Sequence, residues 1–267
     1  MENYNVNFCI DPSIKDSNII LSLSDNIKLI SWDCSLPLNF NHVTIIDNGT
    51  QNIPSILLNQ HLQYLSTPSK LLRKIYSNIN LEELETLIIN KGDLRVKINL
   101  IFNRVSSLSS EGKAVFKKAN FPALKKIYCK YDISTLNELI NYNTLEEIGF
   151  KTVNYDIFEK LSAIKSLHTL RIDNGKLSDI TNIYKINQIK SLALFNLAYL
   201  TDLSPLKELE YLECLRIGYC KHIHNWNFLL NLRRLKILNI PVSSYKDRPP
   251  KPIIEELVNK GVVGISI

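Results

Sequence analysis

The sequence predicts an α/β solenoid, in which each rung adds one strand to a parallel β-sheet and returns behind it through a short segment. Three observations predict it. A phrase of the form apolar-x-x-apolar-x-x-apolar-x-apolar recurs between Leu161 and Ile240, the first copy being Ile164, Leu167, Leu170 and Ile172. Ile186, Ile189, Leu192 and Leu194 form the second copy, Leu209, Leu212, Leu215 and Ile217 the third, and Leu232, Leu235, Leu238 and Ile240 the fourth. The third members, Leu170, Leu192, Leu215 and Leu238, step by 22, 23 and 23 residues. The tail of each copy, as in Thr169-Leu170-Arg171-Ile172-Asp173, alternates apolar and polar at period two, which marks a strand with one buried face.

Towards the N-terminus the phrase continues. Leu145, Ile148 and Phe150 form one copy, and Phe121, Leu124, Ile127 and Cys129 another. Phe102, Val105 and Leu108 follow the same spacing with Ser110 in the last apolar slot, then Leu81, Leu84, Leu87 and Ile89, then Leu62 and Leu65. From Leu65 to Leu238 the landmarks form a ladder of nine rungs. A period in the low twenties is that of a leucine-rich repeat. Each buried apolar side chain contributes about 1.5–3 kcal/mol, but a lone rung cannot cover its own apolar face. The predicted fold is thus a leucine-rich-repeat solenoid with a curved parallel sheet. Short helices, turns or extended chain occupy the convex side.

The ends depart from the rhythm. Ile27, Ile30 and Trp32 resemble one copy and Phe40, Val43 and Ile45 another, but they lie too close together for a full rung. Residues 1–61 are therefore expected to be an irregular N-terminal cap with degenerate repeats, because an uncapped first rung would expose an apolar face. Residues 62–242 are the repeats. Residues 243–267 are a C-terminal cap: a proline-rich loop, a helix starting near Pro252 with Gly261 at its C-cap, and a last strand through Val262, Val263, Ile265 and Ile267.

The runs Leu177-Ser-Asp-Ile180 and Leu200-Thr-Asp-Leu203-Ser-Pro-Leu206-Lys-Glu-Leu209 resemble the 22-residue, internalin-like class of leucine-rich repeats. There an Asp follows the apolar residue after the strand, and a Ser-Pro-Leu turn leads into the return. The resemblance covers residues 62–267 and is strongest over 161–240. It implies a curved parallel sheet whose concave face binds another protein. In the slot of the family's usual Asn, this chain has Gly175, Leu197, Cys220 and Ser243, with Asn174 and Asn196 one place early. That departure predicts irregular turns instead of a buried asparagine ladder.

Composition sets bounds. With 45% hydrophobic and 22% charged residues, the 267-residue chain has an ordinary globular balance. Its net charge of +6 suits an acidic partner but falls short of a nucleic-acid signature. Cys9, Cys34, Cys129, Cys214 and Cys220 are odd in number and scattered, which suggests a reducing compartment. Residues 1–10 lack the charge and apolar core of a signal peptide, and no apolar run is long enough to span a bilayer. A cytoplasmic location is the expectation.

No catalytic motif stands out. Gly-x-Ser-x-Gly, His-Glu-x-x-His and Cys-x-x-Cys are absent, and neither Gly112-Lys nor Gly175-Lys closes a phosphate loop. Glu82, Glu83 and Glu85, like Glu208, Glu210 and Glu213, sit at outward repeat positions as a solvated face would. Cys214, Cys220, His222 and His224 offer zinc-type ligands, but their spacing fits no common finger. No metal, cofactor or enzymatic activity is expected. Arg248-Pro249-Pro250-Lys251-Pro252 reads as a stiff loop into the last helix, and Trp32 and Trp226 as packing residues.

The outward strand positions are the candidate binding site. They carry Lys126, Tyr128 and Lys130, then Glu147 and Lys151, then Arg171 and Asp173, then Phe195, Arg216 and Asn239. Arg and aromatic side chains at such positions suit interface hot spots, and the balance is basic. The expected function is binding of a partner protein with an acidic or mixed surface on the concave face, as an inhibitor or adaptor. Replacing Tyr128, Arg171 and Phe195 with Ala is expected to weaken binding without a stability cost. The alternative is nucleic-acid or other polyanion binding by the same basic residues. Against it, the lysines alternate with acids and the aromatics are not spaced as stacking platforms.

Overall fold

The period-two tails become strands, and within each unit they lie beside the tails of neighbouring copies. In the computed structural model the described residues are 4–8, 18–23, 41–47, 61–97, 99–220, 222–240 and 248–266. They belong to two compact units, one up to Cys129 and one from Lys130 onward.

The first unit holds β1 (Tyr4–Phe8), β2 (Asn18–Leu23), β3 (His42–Asp47), β4 (Tyr64–Pro68), β5 (Thr86–Lys91), β6 (Leu94–Arg95), β7 (Ser107–Val115) and β8 (Lys126–Lys130). Among the described residues of this unit only β1 and β2 pair antiparallel; β2, β3, β4, β5 and β7 pair parallel in that order. Leu65, Leu87 and Leu108 stand in register, as the sequence spacing predicts. The ladder also reaches back beyond Leu62. Val43 pairs with Leu65 at a full 22-residue step, and β2 pairs with β3 through Ile19 and Val43. The candidate copy at Ile27, Ile30 and Trp32 lies outside the described residues, as do Cys9 and Cys34.

Two features of this unit were not legible in the periodicity. The helix α1 (Ser69–Asn78) is ten residues long and buries Leu71, Leu72 and Ile75. Strand β7 continues past its rung, and its far half pairs with β6 through Leu94 and Ala114. Ser110, the polar exception in the phrase, is buried with its hydroxyl donating to the Lys113 carbonyl. Asn120 is also buried; its amide donates to the Lys97 and Leu100 carbonyls, while its oxygen accepts from the Lys117 N–H at 2.7 Å. Phe102 stacks on Phe121 nearby, with ring centroids 5.1 Å apart.

The second unit holds β9 (Glu147–Lys151), β10 (Thr169–Asp173), β11 (Ser191–Phe195), β12 (Cys214–Gly218), β13 (Ile237–Asn239) and β14 (Gly264–Ser266), all parallel and in sequence order. Ile148, Leu170, Leu192, Leu215, Leu238 and Ile265 share one row across these strands. Leu170 and Leu192, on which the whole repeat assignment turns, are fully buried. The return segments are α2 (Ile133–Leu139), α3 (Phe158–Leu161) and three 3₁₀ turns at Thr181–Ile186, Ser204–Glu208 and Asn227–Asn231. They bury Leu161 and Ile164, Ile183 and Ile186, Leu206 and Leu209, and Leu229 and Leu232. The helix α4 (Lys251–Asn259) then buries Ile253 and Leu257, and Gly261 follows with φ +85°.

An Asp, or in one case an Asn, starts each of the five returns from α2 to the last 3₁₀ turn. Asp132, Asp156, Asp179, Asp202 and Asn225 each accept, through the side-chain oxygen, the backbone N–H two residues ahead. These are Asx turns that satisfy a helix-start amide. Bonds from the Thr181 hydroxyl and amide hold the Asp179 carboxyl below its ordinary range.

The slot of the family Asn is apolar or empty here. Val153 and Leu197 fill it as fully buried side chains, and Cys220 as a buried thiol donating to the carbonyls of Gly218 and Leu194. Gly175 must stay bare: its φ is +121°, and a Cβ would sit 2.0 Å from the Val153 carbonyl oxygen. One place earlier, Thr152, Asn174, Asn196 and Tyr219 all adopt left-handed φ, from 55° to 63°. Asn tolerates that conformation, whereas β-branched Thr does not. Gly175→Ala is therefore expected to cost about 3 kcal/mol or more, and Thr152→Asn to add about 1 kcal/mol. Urea unfolding of the two variants beside the wild type checks both signs.

Candidate binding face

Register places the outward side chains of the second unit in three rows. Glu147, Thr169, Ser191, Cys214 and Ile237 form the entry row. Gly149, Arg171, Ala193, Arg216 and Asn239 form the middle row, and Lys151, Asp173, Phe195 and Gly218 the exit row. Neighbours within a row are about 4.8 Å apart, the spacing of paired strands. Of the expected site residues, Lys130 also belongs to this unit and is exposed. Lys126 and Tyr128 belong to the first unit, on the outward face of β8, whose buried positions are Ile127 and Cys129.

Arg171, Asp173 and Phe195 come together. The Arg171 Nε–H donates to Asp173 Oδ2 at 2.8 Å, and the guanidinium carbon lies 5.0 Å from the centroid of the Phe195 ring. Arg171 keeps 49% of its side chain exposed, while the Asp173 side chain keeps only 7%. Asp173, expected to face a partner, has its carboxylate almost wholly buried and bonded to Arg171. The reason is local, since both residues leave the same face of β10 two positions apart. Arg216 sits two strands on in the middle row, and no ion pair holds it among the described residues.

Small residues make room for the large ones. Gly149 and Ala193 flank Arg171, and Gly218 lies opposite Phe195. The alternation of Arg with Gly and Ala is visible in the sequence once the register is known. Sequence reasoning also missed Ile237, which is 43% exposed in the entry row, and Tyr219, which is 48% exposed just past β12. Trp226, by contrast, is a packing residue as expected, buried against Phe228.

Other chemistry is sparse. Among the described residues no three His, Cys, Asp or Glu side chains group closely enough to hold a metal ion. Cys214 is partly exposed in the entry row, while Cys220 is buried and His222 and His224 are exposed. Burial pushes the Tyr142 hydroxyl far above its ordinary value and, with Asp132 nearby, raises that of Tyr131. Neither is on the sheet face. Among the described residues no helix is long and apolar enough to cross a membrane.

Because Asp173 is buried, Arg171 stabilises it as well as facing solvent. Arg171→Ala is expected to lower stability by about 1–3 kcal/mol, the cost of leaving a buried charged acceptor short of its donor. Arg216→Ala is expected to stay within about 0.5 kcal/mol of wild type. This amends the expectation that an Ala scan of the face is neutral for folding, and chemical denaturation of the two variants separates them.

No known protein-family model matches the chain, and no curated protein matches it. Solved structures do. The chain is similar to an internalin C2 of Listeria monocytogenes at 19% identity, over 60% of this chain and 72% of that one, with a TM-score of 0.42. It is similar to an internalin, inlF, of the same organism at 17% identity, over 76% and 67% of the two chains, with a TM-score of 0.38. A leucine-rich-repeat protein of Leptospira interrogans is similar at 16% identity over 81% of this chain, with a TM-score of 0.46. The match spans 64% of that protein's length. The rung period, the parallel register and the buried leucine row are properties of the chain itself, and they make it a leucine-rich-repeat solenoid.

Proposed function

We propose that the chain is a non-enzymatic module that binds a partner protein on the outward face of the second unit's sheet. Solenoids of this kind present extended surfaces for protein binding in general. The observation that carries the finer proposal is the Arg171–Phe195 stack, set among Gly149, Ala193 and Gly218. Arg and aromatic side chains bordered by small residues are what interface anchors are made of.

The charge balance favours an acidic or mixed partner surface. With Asp173 buried and bonded to Arg171, the face of this unit shows Lys130, Lys151, Arg171 and Arg216 against Glu147. Asn239 extends the middle row with a neutral donor and acceptor. Lys126 and Tyr128 are candidates for the same role within the first unit. A polyanion has less to hold: the face of Phe195 carries Arg171 instead of an open platform for a base. Action as an inhibitor or adaptor follows from covering a partner's surface, and the odd number and scatter of the cysteines support a cytoplasmic setting.

The experiment is affinity capture from the native host followed by charge reversal. Lys151→Glu and Arg216→Glu are each expected to weaken the captured partner at least about tenfold, some 1.4 kcal/mol, with unfolding unchanged. Retention of full affinity by both variants would move the site off this face.

A further inference from the structure

Resting on that proposal, we infer that Asp173 is a positioning residue, and that Arg171 and Arg216 together receive an extended acidic segment of the partner. An Arg side chain carries about 2 kcal/mol of rotamer entropy that binding must normally remove. Here much of it is already removed. Nε is bonded to Asp173 at 2.8 Å, the guanidinium lies 5.0 Å from the Phe195 ring, and Gly149 and Ala193 flank it. The side chain nevertheless stays half exposed, so a partner carboxylate can reach it. Pre-organisation of this kind strengthens binding without a new contact.

Asp173 lowers the positive charge of a basic face, so it has no place in a surface working by bulk potential. Nor is it a repeat feature. The equivalent exit-row positions are Lys151, Phe195 and Gly218, and Arg216 has no acid two residues after it on its own strand. On the strands of this unit the acid stands only where an Arg is stacked on a ring.

The spacing of the two arginines describes the ligand. They share the middle row with Ala193 between them, two strand spacings or about 9.6 Å apart. In the polyproline-II form an extended chain rises about 3.1 Å per residue with three residues per turn, so acidic residues three positions apart lie about 9.3 Å apart on one side and would meet both. An apolar side chain near one of them would rest on the part of the half-buried Phe195 ring that Arg171 leaves uncovered. The partner element is therefore an extended peptide segment with paired acids and an adjoining apolar residue.

The probe is a random peptide library displayed on phage and selected against the full chain. The best-enriched sequence is then synthesised, labelled and titrated by fluorescence polarisation. Enriched peptides are expected to carry acids three apart. Asp173→Asn is expected to weaken the peptide about fivefold or more, even though it raises the net positive charge by one. Arg171→Lys, which keeps the charge but loses the planar fork and the Nε bond, is expected to do the same and serves should Asp173→Asn fold poorly. Acidic peptides that bind Asp173→Asn or Arg171→Lys as tightly as wild type, or tighter, would overturn the positioning role and leave the face proposal standing. No enrichment, enriched peptides without acids, or equal binding to an Arg171→Lys, Arg216→Ala double variant would overturn both.

Discussion

One carbonyl per rung, accepting two amide N–H groups from the next rung, sets where nine of the strands begin. In the first unit the acceptors are Asn41, Gln63, Glu85 and Ser106; in the second they are Glu146, His168, Lys190, Glu213 and Lys236. Slipping this contact by one residue would turn every buried side chain to the outside, because side chains along a strand alternate at period two. The apolar rows at Leu170 and Ile172 oppose the same slip from within. The two constraints agree, and everything on the outward face depends on them. Side chains at the acceptor positions alternate in charge along part of the second unit, and the Lys236 ammonium, 2.8 Å from Glu213, holds that carboxyl below its ordinary range. Exposed as it is, the pair adds little beside the backbone contact it accompanies.

With register fixed, the chemistry of the face follows from which residue sizes meet. Arg171 can lie along the sheet because its row neighbours are Gly149 and Ala193. A second large residue at either place would lift the guanidinium away from Phe195 and break its bond to Asp173. The same register that buries the leucines thus decides that one Arg is held and the other loose. Selectivity on such a face comes from a few positioned groups more than from its area.

Much of this was legible in the sequence. Leucine spacing named each rung from Leu65 to Leu238, because burial demands apolar residues at fixed intervals whatever the surroundings. The Leu-x-Asp motif pointed to the returns, although its role as an Asx turn needed the backbone geometry. Other features were beyond periodicity. Val43 belongs to a full rung, but nothing in its neighbourhood sets it apart from a chance apolar pair. The burial of Asp173 and its bond to a long side chain two residues earlier are not given by a period-two pattern, which assigns only direction. Gly175 looked like a departure from the family pattern, while the structure shows a contact with Val153 that only glycine permits.

The turns show how the second unit manages without the family's asparagine column. A buried Asn can satisfy several backbone groups at once, as Asn120 does in the first unit with three bonds of 2.7–2.9 Å. At Val153, Leu197 and Gly175 no such side chain exists, so the backbone itself must supply the bonds. Left-handed residues do this: the amides of Thr152, Asn174 and Asn196 donate to the carbonyls of Asp173, Phe195 and Gly218 on the following strand. The bond and the left-handed φ occur together at each of these three exits, so the strain at Thr152 accompanies a bond that this part of the ladder repeats. It costs about 1–2 kcal/mol for a residue with a Cβ, comparable to leaving one buried amide unmet. The exchange is near balance for Thr152 and favourable for Asn174 and Asn196, whose short side chains tolerate the bend. Strain at these exits therefore has a structural cause, and the search for recognition belongs on the sheet face, where Arg171 is held in place by residues that the fold alone does not require.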